Sequence, residues 1–275
     1  MGQEGKNVRP LSAKEDEKWM IKWNRSDDFN KDEVNWKMWF KKPENFGAWT
    51  WDNEKNVSVK DGILTLTLRK EKGEEAAYTS GMLKSYASGT YGYYEARING
   101  AGLFPGACPA FWLYSKIDDS VVEKGKVRYS EIDIVEITQR GDAKEGNERI
   151  MDHNLHAILS NGEKGNKGRE WRRPHKFVEE QSLEYHAPFD PREDFHTYGC
   201  LVEQDEIVWY VDGVEVGRKK NVLWHRKMNV ALSLGLRAPF AVFANNRLTP
   251  VKRAKGGAFP TSMKVDYIRV WEKSE

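Results

Sequence analysis

Glu131-Ile132-Asp133-Ile134-Val135-Glu136 sets three acidic residues inside a run that is otherwise β-branched and apolar. The valines and isoleucines predict a strand, in which residues two apart share a face. Glu131 and Asp133 therefore point the same way, and Glu136 joins them only if one extra residue near Ile134-Val135 forms a β-bulge that re-aims it. Two carboxyl groups about 5–5.5 Å apart are what a retaining glycosidase uses, one as nucleophile and one as acid/base. The competing reading is an edge strand guarded by inward-pointing charge. It fits poorly, because three acids stand together with no Lys or Arg between them.

Such carboxyl groups need a sheet to hold them, and the rest of the chain reads as short strands separated by turns. Residues 57–68 and 206–216 are each a strand, an Asp-Gly turn and a second strand, turning at Asp61-Gly62 and Asp212-Gly213. Further strand patterns fall at 91–98, 110–114 and 264–271. No sustained helical periodicity and no internal repeat appear. The pattern predicts an all-β, jelly-roll β-sandwich of two antiparallel sheets. Residues 1–18, polar and charged, are expected to form a flexible N-terminal arm before a single catalytic domain over 19–275. Two longer segments break the rhythm, 139–149 and 160–181, and are expected to be functional or mobile loops. The second interleaves Trp171 with Arg172 and Arg173, a stacking ring beside a planar bidentate donor, which suits a sugar bearing an anionic group such as sulfate.

Composition bounds the alternatives. Lys and Arg number 44 against 42 Asp and Glu, a net charge of +2, which argues against a nucleic-acid protein built on overall basicity. Aromatic residues make up 12% of the chain, enough to supply sugar-stacking platforms as well as a core. No apolar stretch is long enough for a transmembrane helix. The first residues lack the apolar segment of a signal peptide; a signal removed upstream, and a secreted, periplasmic or cell-surface location, is the expectation. Cys108 and Cys200 read equally well as one disulfide or as two buried thiols. No Gly-rich phosphate loop is present, so no nucleotide or redox cofactor is implied.

The acidic run also resembles the E-x-D-x-x-E signature of glycoside hydrolase family 16 in its bulged form. Its flanks, Tyr129-Ser130 and Ile137-Thr138-Gln139, resemble those of the κ-carrageenases in that family. So do Asp152-His153-Asn154-Leu155-His156, the segments 188–199 and 235–239, and Phe259-Pro260-Thr261-Ser262 with the strand that follows. The similarity runs from about Trp23 to Trp271. It implies a concave cleft or tunnel that takes a sulfated galactan and cuts its β-1,4 bonds with retention. By position Glu131 matches the nucleophile, Asp133 the helper carboxylate and Glu136 the acid/base. Like charges packed on one strand would push the proton affinities of such a set apart, as the chemistry requires.

The resemblance further implies that Arg237 contacts a galactose 4-sulfate, and that Trp171 and Arg173 are a stacking and sulfate-binding pair on the leaving-group side. His153 and His156 are expected to hydrogen-bond sugar or to orient the carboxylates, in preference to holding a metal. Trp49 and Trp51 share a face if their segment is a regular strand, so both line the cleft or both are core; the family's W-x-W segment favours the cleft. Trp112, in an apolar strand, reads as core. Catalysis needs no cofactor. A structural Ca²⁺ on the convex face is allowed by similarity, with Asp266 as candidate ligand, although one carboxylate is few for an ion that takes about six to eight oxygens. The chain is expected to act as a monomer. The segment 70–78 is shorter than the cysteine-bearing insertion of the family members it resembles, which predicts a more open cleft. Other readings are a furcellaran or hybrid-carrageenan hydrolase, a β-agarase or porphyranase, and a non-catalytic galactan-binding lectin. Arg173 and Arg237 weigh against a neutral substrate, and two desolvated acids weigh against mere binding.

Overall fold

The computed structural model describes residues 8–45, 47–73, 77–244, 247–251 and 253–274. Two antiparallel sheets pack face to face. The first runs, in spatial order, Arg169–Arg172, Leu155–Ser160, Val127–Ile137, Ala107–Tyr114, Met228–Leu236 and Met82–Gly89. The short strand Ile150–Asp152 joins the end of the acidic strand and in turn pairs with Glu184–His186. The second sheet has Gly92–Asn99 at its centre, between Phe195–Val202 and Thr261–Lys273. This is the all-β jelly roll that the strand pattern predicts.

Alternation explains the packing. Leu64, Leu66 and Leu68 of one sheet, with Ala96 and Ile98 beside them, meet Phe111, Leu113, Ile132 and Val135 of the other, all fully buried in one continuous core. Each buried Leu or Ile contributes about 1.5–3 kcal/mol of transfer free energy. Both predicted hairpins form at Asp-Gly, with positive φ at each turn residue: 52° and 76° at Asp61-Gly62, 48° and 78° at Asp212-Gly213. Those are the signs a two-residue type I′ turn demands.

Two expectations change, and the open alternative for the cysteines closes. Residues 8–18 are no loose arm: the Leu11 N–H donates to Glu95 at 2.9 Å, the Ser12 hydroxyl to Tyr93 at 2.7 Å, and the Trp271 indole to the Val8 carbonyl at 2.8 Å. Glu95 is a buried carboxylate, and the docked segment supplies the donor it needs. Residues 1–7 lie outside the described residues. The segment 160–181 is no plain loop either, since Arg169–Arg172 forms an edge strand in register with Ala157–Ser160. Its polarity is that of an exposed edge. Cys108 and Cys200 are free, buried thiols.

Candidate active site

The acidic strand carries the bulge. Against the strand Ala107–Tyr114, Glu131 lies opposite Tyr114, Asp133 opposite Trp112 and Glu136 opposite Ala110, with the register slipping between Phe111 and Trp112. Ile134 is the extra residue. Tyr114, Trp112 and Ala110 alternate regularly, so their partners Glu131, Asp133 and Glu136 all face outward from the core.

Each carboxyl group has its own surroundings. Glu131 accepts a short hydrogen bond from the Tyr129 hydroxyl, two residues back on the same face. His156, directly across from Glu131 on the neighbouring strand, places Nε2 3.8 Å from Glu131 Oε1 and 3.2 Å from Asp133 Oδ2. Asp133 is the most enclosed of the three. Burial, then the charges of Glu136 and Glu131, push its carboxyl well above the usual range, while His156 pulls the other way. Glu136 accepts from Arg237 Nη2 at 2.8 Å and from Gln139 Nε2 at 2.7 Å, and Cys108 Sγ lies 3.9 Å away. Two further Arg237 donors go to Gln139 Oε1 at 3.2 Å and the Leu236 carbonyl at 3.1 Å. A Cβ at Gly235 would come within 2.8 Å of Arg237 and 3.3 Å of Trp49, so glycine leaves room for both.

Trp171 stands 37% exposed beside Tyr129, ring centroids 6.0 Å apart, and Arg173 stacks over its ring at 4.3 Å. The same guanidinium lies 5.6 Å from the ring of Phe243, in the hairpin formed by Ala241–Ala244 and Arg247–Pro250. That hairpin follows Arg237 at the end of the strand Met228–Leu236, four strands from Arg173 in the sheet order. The Arg173–Phe243 contact therefore bridges across the acidic strand. Residues 74–76 of the short segment lie outside the described residues.

Other predicted positions fall elsewhere. His153 is 1% exposed and gives Nδ1 to the carbonyl of Ile134 at 2.5 Å, so it cannot reach sugar; it belongs to the core behind the acidic strand. Its place at the corner between two strands turns it inward while His156 faces out. Trp49 and Trp51 form a T-shaped pair, centroids 5.3 Å apart, and are 7% and 6% exposed. Both belong to the buried core cluster, and neither presents an open ring. Asp266 pairs with Arg97 at 2.7 Å and belongs to no group of three or more metal-ligating side chains among the described residues. Trp112 is buried in the core cluster as expected, and its register sets it opposite Asp133, stacked on Tyr114 at 4.3 Å and donating to Ser233 at 3.1 Å. Tyr129 and Gln139 enter the sequence reading only as flanks of the signature and Tyr114 only as part of a strand, none with a role in the site; the period-two rule places Tyr129 beside Glu131.

Glu131, Asp133 and His156 bring three ligand-type atoms within 4.8 Å of one another. A metal requires neutral imidazole. Burial opposes the His156 proton, but Glu131, Asp133 and Glu136 outweigh it and push the pKa up to about 9. The cluster suits an internal ion pair better than a cation site.

A jelly roll with paired acids on an outward strand face defines a carbohydrate-cleaving enzyme, and the comparisons agree. Residues 19–273 match the model of the GH16 domain of β-porphyranases A–D. The chain is 46% identical over 283 residues to the κ-carrageenase of Pseudoalteromonas carrageenovora, covering 97% of this chain and 68% of that protein. The crystal structure of a κ-carrageenase from Zobellia galactanivorans superposes with a TM-score of 0.87 at 46% identity, covering 97% of this chain and all of that one. The P. carrageenovora enzyme, crystallised with an oligotetrasaccharide of κ-carrageenan, also gives 0.87, at 45% identity, covering 97% and 100%. This chain belongs to glycoside hydrolase family 16.

Proposed function

We propose that the chain is an endo-acting hydrolase that cuts β-1,4 bonds of a sulfated red-algal galactan, κ-carrageenan foremost, with retention of configuration. The observation that carries this reading is the bulge at Ile134, which turns Glu136 onto the face of Glu131 beside a half-buried arginine. Glu131, oriented by Tyr129 and His156, attacks the anomeric carbon. The glycosidic C–O bond breaks as Glu136 gives its proton to the leaving oxygen, and a glycosyl ester forms on Glu131. Water then attacks the same carbon, passes a proton to Glu136 and releases the carboxylate. Asp133, between them and carrying or sharing a proton with His156, limits the negative charge that would otherwise oppose the acid form of Glu136.

Arg237 ties up one oxygen of Glu136 in the free protein. A sulfate ester arriving in the cleft competes for that guanidinium, and drawing it away frees the oxygen for the proton. Trp171 and Arg173 offer the corresponding ring and charge on the leaving-group side. Secretion fits a polymer substrate, and no helix among the described residues is long and apolar enough to cross a membrane.

The test is incubation with κ-, ι- and λ-carrageenan, furcellaran, agarose and porphyran, following reducing ends, with the first anomer released read by NMR. Fastest cleavage of κ-carrageenan to a β-anomer is expected. Faster cleavage of porphyran would move the chain to the activity named in its matching family model, and an α-anomer would overturn the double displacement.

A further inference from the structure

A bulge breaks the hydrogen-bond ladder locally, and the backbone groups it frees need partners when they are buried. Around Ile134 the carbonyls find theirs in side chains. The Ile134 carbonyl faces His153 Nδ1 at 2.5 Å, and the preceding carbonyl, that of Asp133, accepts from the Trp209 indole at 3.0 Å. The Asp133 N–H donates to the Asn154 carbonyl at 2.9 Å, in the corner that also holds His153. His153 and Trp209 are 1% and 0% exposed, and Trp209 belongs to the strand Glu206–Val211 of the opposite sheet. The clamp thus closes on the bulge from two directions.

The chemistry of His153 suits this task and no other. Burial pushes its pKa down to about 4, so the ring is neutral, and Nε2 has no hydrogen-bond partner among the described residues. One proton remains, and the carbonyl at Nδ1 fixes it there.

We propose that His153 and Trp209 are positioning residues that lock the bulge at Ile134 and thereby aim Glu136 at the leaving oxygen. Removing either donor leaves a buried carbonyl unpaired, and the strand relieves that by shifting at the bulge, where the ladder is already broken. Glu131 lies upstream, in regular register with Tyr114 and His156. Glu136 lies two residues downstream of the extra residue, and small displacements at a reacting group are costly. The defect therefore falls on proton donation more than on nucleophilic attack. This inference rests on the acid/base reading of Glu136.

The leaving group separates aim from general damage. A dinitrophenyl glycoside of the carrageenan disaccharide departs without a proton, whereas the natural bond needs one. His153→Leu, of similar bulk without a donor, is expected to lose roughly tenfold to a hundredfold in kcat/KM on κ-carrageenan, yet to stay within about threefold of wild type on the dinitrophenyl substrate in kcat/KM, which reports the first step alone and not the later one in which Glu136 acts as base. His153→Asn puts an amide N–H where Nδ1 stood and should recover most of the loss. Trp209→Phe, which removes one donor and keeps a smaller aromatic ring, carries the same test if His153→Leu fails to fold. Equal losses on both substrates, or no loss in a folded variant, overturn the proposal. Glu136→Gln run alongside separates the two failures: if it too loses equally on both leaving groups in kcat/KM, the acid assignment is at fault rather than the clamp.

Discussion

Raising the pH through 9 should strip a proton from His156 and cost the fold about 3 kcal/mol. Its Nε2 lies 3.2 Å from Asp133 and 3.8 Å from Glu131. Burial disfavours the cation, but the charge of Glu131, the hydrogen bond and charge of Asp133, and the charge of Glu136 prevail, giving a pKa of about 9 against an ordinary 6.5. At about 1.4 kcal/mol per pH unit, that difference is worth about 3 kcal/mol. The folded state holds this proton more tightly than the unfolded chain. The contribution is therefore complete below pH 6.5 and disappears as the pH rises through 9. Histidine NMR titration reads the group directly, and urea unfolding from pH 6 to 10 reads its energetic consequence. Buried tyrosines and thiols with raised pKa values also titrate at the alkaline end, so the His156 signal is the one that must move first. An imidazole titrating at or below 6.5 would refute the ion-pair reading and reopen the metal reading of the same three residues.

Glu131→Gln and Glu136→Gln should abolish turnover of κ-carrageenan while leaving binding measurable by calorimetry; more than a few per cent of residual activity in Glu131→Gln would displace the nucleophile. Arg237→Ala should lose about 1.5–3 kcal/mol in kcat/KM, roughly ten- to a hundredfold, with only partial recovery in Arg237→Lys. An equal loss on desulfated polymer would make Arg237 a support for Glu136 alone. His153 contributes stability with the opposite sign to His156: its pKa lies near 4 when folded, so the unfolded chain protonates first and stability drains as the pH falls from 6.5 toward 4. His153→Asn should flatten that acid limb in urea titrations. Gly92→Ala should lower stability by on the order of 2–4 kcal/mol, because a Cβ there meets the Trp271 carbonyl at 2.3 Å and φ is +139°; an unchanged melting temperature would contradict that geometry.

Much of this was legible because local rules and the fold agree. The Asp-Gly turns announced their hairpins, and the leucines at 64, 66 and 68 announced a sheet face, since turn conformation and alternation depend on residues close in sequence. What stayed hidden depends on pairing. Trp112 looks like core in its apolar strand, and only the register that sets it opposite Asp133 reveals which side it takes. His153 and His156 look equivalent three residues apart, yet a strand corner sends one inward and the other to the carboxylates. The docking of residues 8–18 answers a need of Glu95 that lies far along the chain.

The bulge joins the two cases. Strand reading rests on parity, and one extra residue reverses parity for everything downstream. Without Ile134 as the extra residue, Glu136 would point into the core, where an unpaired carboxylate is prohibitive, and the apolar Val135 and Ile137 would turn outward. The charge pattern alone thus demands an irregularity at this place. It does not say what holds that irregularity, because the holders, His153 and Trp209, come from another strand and another sheet. The position where the local pattern breaks is the position that the chemistry requires, and its supports are the residues least visible from the sequence around it.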